Sequence, residues 1–213
     1  TRLAGKDPTE HRNLWRALRD KRVMALGLIF FADQSAASGS RFWMPQIVQG
    51  MGFSNLVTSL IVAAPFLVAM AVMFAWGKSS DVKGERVWHV AIPLLLTGGG
   101  FVVASITSSN IVALLALSAS MIGPLMFLGP FWGMNSSFLG GKAAAGAIAL
   151  VSSLGSLGGF RGGYVVGLST EATGSYIPGI MVLALALGVS AAAVFVLGRA
   201  IKLRGVEPTR QSA

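Results

Sequence analysis

From residue 87 to residue 141 the chain runs 55 residues without one Asp, Glu, Lys or Arg. Two further stretches are also uncharged, 36 residues over 42–77 and 27 over 172–198. About 20 apolar residues cross a bilayer as a helix, so these runs hold several crossings. They are continuous rather than alternating, which predicts helices and not barrel strands. Only 12% of the 213 residues are charged, against about 25% in soluble domains, and mean hydropathy is +0.69. A soluble globule of this length would need more charge to cover its surface. A disordered chain would be polar, and a disulfide scaffold needs cysteine, which is absent. The net charge of +9 does not point to nucleic acid, because the basic residues punctuate apolar runs instead of covering a folded face. The expected class is an all-α membrane protein.

Six spans are expected, over 23–47, 56–76, 88–106, 111–132, 143–168 and 176–197, making one bundle over 23–198. Gly50, Gly52, Ser54 and Asn55 supply the first turn. The charged cluster 78–86 supplies the second, and Thr107, Ser108, Ser109 and Asn110 the third, with a helix cap at its end. A polar link over 135–142 and a turn over 171–175 complete the set. Counting Lys and Arg by loop sets the orientation. Seven lie before the first span, three in the second link, one in the fourth and four in the tail. The opposite turns contain none, while Arg41 and Arg161 lie inside spans. Both ends of the chain are therefore expected on the cytoplasmic side.

The start has no signal-peptide pattern. Residues 1–22 read as the end of a cytoplasmic connector entering a membrane half, with Leu14, Trp15 and Leu18 on one helical face. An amphipathic leader lying on the membrane surface is the other reading. Residues 199–213 read as a cytoplasmic tail.

The second link carries Gly77, Asp81, Gly84 and Arg86. On spacing alone this is either a charged turn or a device in which Asp81 faces positive groups and Arg86 binds helix carbonyls or a carboxylate. The two glycines would allow tight reversals. The set resembles the cytoplasmic-loop signature of the major facilitator superfamily in its second-half copy. Further segments resemble that superfamily's anion:cation symporter family: Phe42-Trp43-Met44-Pro45, Glu85-Arg86-Val87-Trp88-His89, Pro130-Phe131-Trp132, Phe138-Leu139-Gly140-Gly141, Ala143-Ala144-Ala145-Gly146, Ser153-Leu154-Gly155, Leu157-Gly158-Gly159-Phe160 and Thr173-Gly174-Ser175. The match runs in order along essentially the whole chain.

The resemblance implies one six-helix half of the superfamily fold, the C-terminal one. It also implies symport of a small organic anion, such as tartrate, phthalate or a sugar acid, with a coupling cation, a proton first among the candidates. Transport would be by alternating access. One half supplies only part of a cavity wall, so an N-terminal half or a second copy is the implied partner, beside the lipid bilayer. Several positions depart from the family pattern. Ser152 and Ser156 stand where Asn is usual, Asn135 where Pro is usual, and Gly162-Gly163 where Gly-Pro is usual. Arg161 replaces an aliphatic residue, and Asp33 lies in a variable region.

Arg161 and Asp33 are the charges to explain, because a charge within a span is costly and normally faces a cavity or a partner. Arg161 could grip a substrate carboxylate in bidentate fashion or sit in a structural ion pair. Asp33 could be its partner or could take up the coupling proton. Gln34, Ser35 and Ser38 share the first span, and with Asn135, Ser152 and Ser156 they are candidate pathway residues or ordinary interhelical hydrogen bonders. Gly155, Gly159, Gly163 and Gly167 form a stripe that permits close helix packing. Trp43, Trp76, Trp88 and Trp132 read as interfacial anchors. Gly123-Pro124 and Gly129-Pro130 could kink the fourth span. Two histidines without cysteine make no metal cluster, Gly98-Gly99-Gly100 lacks the strand of a phosphate loop, and no nucleophile–base set is present. No cofactor and no enzymatic reaction are expected. The competing reading is a truncated, transport-incompetent remnant or a half-size membrane interaction protein.

Overall fold

Polar caps mark where the helices begin and end. In the computed structural model, which describes residues 20–138 and 143–202, the chain forms α1 (Lys21–Gly50), α2 (Asn55–Lys83), α3 (Val87–Ile106), α4 (Asn110–Phe138), α5 (Ala143–Thr173) and α6 (Ile177–Lys202). The Asp20 carboxylate accepts the Arg22 N–H at 2.8 Å to open α1, and the Ser54 hydroxyl accepts from Val57 to open α2. Gly84 closes α2 in the left-handed region at φ +59°, where a side chain would be strained.

The helices occupy the expected spans to within a residue and then run past them. α2 continues through residues 77–83, so Gly77 is helical and makes no reversal; Gly84 alone does. α4 continues to Phe138 through Gly123-Pro124 and Gly129-Pro130 without a break. Asn135 therefore belongs to α4 and not to the polar link. The rest of that link from residue 139, nearly all of the expected connector and most of the tail lie outside the described residues.

α1 lies along α5, the most extensive pairing in the molecule. α3 sits between α4 and α6, and α2 leans on α4. Exchanging α1 with α4, α2 with α5 and α3 with α6 maps the α1–α5 contact onto α2–α4 and the α3–α4 contact onto α1–α6. That is the pattern of an internal two-fold repeat of three helices.

Small residues decide which faces meet. A Cβ at Gly158 would fall on the Phe31 carbonyl and one at Gly162 on the Ser35 carbonyl, both on α1. Gly155 receives the Phe30 ring, while Gly163 and Gly167 lie against Phe42 and Trp43. Gly159 meets nothing within 4 Å, so Gly155, Gly163 and Gly167 of the expected stripe make the contact and Gly158 and Gly162 widen it. The triplet in α3 serves three directions: Gly98 abuts Ala184 of α6, Gly100 abuts Ala116 of α4, and Gly99 opens outward.

Phe30 stacks on Phe131 at 5.1 Å and meets Trp132 edge-on at 5.4 Å, and Phe127 continues the stack. Trp132 is thus part of the helix-joining aromatic core. Trp43 donates its Nε1–H to the Gly163 carbonyl at 3.1 Å. Both tie helices together.

The outside is apolar. Leu56, Leu60, Leu67 and Phe74 on α2, Leu157 and Phe160 on α5, and Leu185 and Val189 on α6 are all exposed. Such a surface is an aggregation hazard in water and ordinary in lipid. Among the described residues, α2, α3, α4 and α6 are long and apolar enough to cross a membrane by length and composition. α1 carries Asp33 and Arg41, and α5 carries Arg161, Glu171 and seven glycines. The two less apolar helices are the two that shelter each other.

Candidate functional site

One turn and two turns along α1 from Gln34 stand Ala37 and Arg41, a spacing that puts all three on one face. They line a cavity of about 250 Å³ with Ser40, closed by Phe66 of α2 and by Met121, Pro124, Leu125 and Leu128 of α4. The wall is mainly apolar, with the Arg41 guanidinium, the Gln34 amide and the Ser40 hydroxyl as its polar side-chain groups, the last donating to the Ala36 carbonyl. Gln34 also donates its Nε2–H to Asp33 Oδ2 at 3.3 Å. Asp33 is 1% exposed, and its Oδ1 is buried with no hydrogen-bond partner. Arg41 is exposed and makes no ion pair among the described residues. A cation, an amide and an apolar wall of this size suit a small organic anion with a hydrocarbon body.

Arg161 lies elsewhere. It is exposed on α5, beside the exposed Phe160 and Tyr164, and no Asp33–Arg161 ion pair forms. Helical geometry explains this, since the face of α5 pressed on α1 is centred on Gly158 and Gly162 and Arg161 projects about 90° away. Ser156 is exposed and donates to the Ser152 carbonyl at 3.0 Å, within its own helix. Ser152 is half-buried. Asn135 is fully buried, and both its amide nitrogen and its oxygen lack partners. The structure therefore brings Gln34 and Asp33 together and leaves Arg161, Asn135, Ser152 and Ser156 apart from them. Arg41 is the residue that the sequence reading passed over. The 34, 37, 41 spacing was the signal that could have found it.

A second polar cluster joins α2, α3 and α4 at the basic end. Arg86 pairs with Asp81 at 2.6 Å and donates to Ser80 Oγ at 3.2 Å. Ser80 in turn donates to the Glu85 carbonyl at 2.8 Å. The Arg86 guanidinium lies over Gly133 of α4, where a Cβ would come within 2.8 Å of it and push the guanidinium aside. Glu85 caps α3 by accepting the Trp88 N–H at 2.9 Å and holds His89 Nδ1 at 2.9 Å. The other imidazole nitrogen of His89 meets Ser79 Oγ at 3.1 Å. The His89 ring packs on Trp76, whose Nε1–H donates to the His89 carbonyl. Burial opposes ionisation of Glu85, but the N–H groups of Trp88 and His89 and the His89 ring outweigh it and hold the carboxyl below its usual range. Among the described residues, no group of three or more His, Cys, Asp or Glu side chains could hold a metal ion.

No protein-family model matches the chain. Curated proteins do. Two from Agrobacterium vitis, each named "Putative tartrate transporter", are 38% and 35% identical over 92% of the chain. A protein of Acinetobacter baumannii named a quinolone resistance transporter is 28% identical over 85% of it. The chain spans 45%, 43% and 42% of those three proteins, less than half the length of each.

Proposed function

Because the chain belongs to the major facilitator superfamily of transporters and fits the C-terminal half of one, we propose that it forms one wall of a pathway for a small organic anion. α1 to α6 act as a six-helix unit that rocks against a second six-helix unit by alternating access. That second unit comes from a longer chain, a separate chain or another copy. The unit lies in a bacterial inner membrane with its basic end in the cytoplasm, as the loop charges favour. The observation that carries the anion reading is the cavity between α1, α2 and α4, where Arg41 and Gln34 meet an apolar wall. Arg41 grips the carboxylate, Gln34 donates to it, and Phe66 and Leu125 cover the carbon skeleton. The word tartrate in the names of two relatives supports a dicarboxylate. A cation, a proton first among them, travels with the anion. Arg86, Asp81 and Gly84 hold the α2–α3 junction against α4 during rocking, and the chemistry throughout is transport, not catalysis.

Uptake of radiolabelled tartrate, phthalate and glucarate into vesicles bearing the protein tests this reading. Saturable uptake of at least one of them, lost in Arg41→Gln, is the result expected. Absence of uptake for all three would instead favour a transport-incompetent membrane protein.

A further inference from the structure

We propose that the cavity selects anions whose carboxylates share one edge of an apolar body, with Phe66 as the residue that turns away anions charged at both ends. This rests on the reading of that cavity as an anion site.

The lining is divided by helix. Every polar side chain in it comes from α1: Gln34, Ser40 and Arg41. α2 and α4 contribute Phe66, Met121, Pro124, Leu125 and Leu128, none of which carries a charge or a side-chain N–H or O–H. The α1 groups are also partly committed. Gln34 gives one N–H to Asp33 Oδ2 and keeps the other, together with its carbonyl oxygen. Ser40 gives its hydroxyl proton to the Ala36 carbonyl and keeps only lone pairs. Arg41 makes no ion pair among the described residues, so its planar fork can take carboxylate oxygens. Donors for an anion therefore stand on one wall, and hydrocarbon stands on the others. The Phe66 ring is 38% exposed, which leaves part of it for a ligand to cover.

An anion held at Arg41 and Gln34 must lay the rest of itself against Phe66, Leu125 and Leu128. A benzene ring does this favourably, by buried area and by ring–ring contact. A second carboxylate placed there would leave water without meeting a donor, which is costly. Phthalate carries both carboxylates on adjacent ring carbons and so keeps its charge on the α1 wall. Terephthalate has the same atoms and the same charge, but its carboxylates lie at opposite ends of the ring. Tartrate and glucarate are likewise charged at both ends. Among the lining side chains, their hydroxyls find only Gln34 Oε1 and Ser40 Oγ as acceptors. Arg41 and Gln34 hold the charge; Phe66 decides what shape of anion can follow it.

The test measures binding of phthalate, terephthalate and tartrate by calorimetry to the purified protein in lipid nanodiscs. Phthalate is expected to bind at least about tenfold more tightly than either of the others. Phe66→Gln puts an amide on the far wall, so it should weaken phthalate and strengthen terephthalate, narrowing that ratio. Leu125→Gln repeats the comparison from α4 if the first variant does not fold, and the isomer comparison in the unmodified protein needs no variant at all. Equal affinity for the two isomers, or tighter binding of terephthalate or tartrate, overturns the proposal and leaves the anion site standing. So does an unchanged isomer ratio in folded Phe66→Gln, because the ring would then not set the preference. Failure of the unmodified protein to bind any of the three anions overturns the cavity reading itself, and this proposal with it.

Discussion

A methyl group at Gly162 would land on the Ser35 carbonyl oxygen, while the same group at Gly159 would meet nothing within 4 Å. Gly162→Ala is therefore expected to destabilise by about 1–3 kcal/mol through forced separation of α1 and α5. Gly159→Ala should be neutral or stabilise by up to about 1 kcal/mol, since alanine is the better helix former. Thermal unfolding in detergent distinguishes the two. Glu85 gives a pH test. Its carboxyl titrates below the unfolded value because Trp88 and His89 favour the ionised form, so its contribution is present above the unfolded pKa of about 4.3 and fades as pH falls through the lower folded value. Glu85→Gln should melt earlier than the unmodified protein at pH 7, and the gap should close in acid; a gap independent of pH would contradict the cap. At this scale the sequence was legible wherever local spacing decides the outcome, as with Arg86 near Asp81. It was not legible where partners come from another helix. Nothing in the residues around Arg161 says that its face turns from α1, and nothing near Gly133 says that Arg86 lies over it.

Phe30 joins three elements, stacking on Phe131 of α4 while its ring fills the space over Gly155 of α5. Phe30→Ala should cost about 3–5 kcal/mol, the usual loss for an aromatic side chain in a packed core. Gly155→Ala should be destabilising in the unmodified protein and much less so in the Phe30→Ala background, because the ring it collides with is gone. A double-mutant cycle that came out additive would contradict that contact. α2, α3, α4 and α6 were readable from the uncharged runs, but the helix ends were not. α2 extends past its apolar stretch because Ser79 and Ser80 are satisfied by His89, Glu85 and Arg86, and α4 carries Asn135 as a buried helical residue; hydropathy records neither. This is why Gly77 and Asn135 read as loop residues and are helical.

Across the whole molecule, the claim is that lipid surrounds α1 to α6 with the basic end in the cytoplasm. The chain has no cysteine, so single introduced cysteines report cleanly. Val82→Cys at the exposed end of α2 should react with an impermeant maleimide only from the cytoplasmic side, and Ser108→Cys only from the other; labelling of both from one side would contradict the arrangement. The apolar character of the molecule and its likeness to a transporter half were legible in the residues, whereas the position of the cavity was not, because it depends on three helices meeting. The most direct test of that position compares two cysteines, Leu125→Cys in the cavity wall and Leu157→Cys on the α5 face near Arg161. Tartrate should slow maleimide labelling at residue 125 and leave residue 157 unaffected. Protection at residue 157 with none at residue 125 would place the anion at Arg161 and contradict the account.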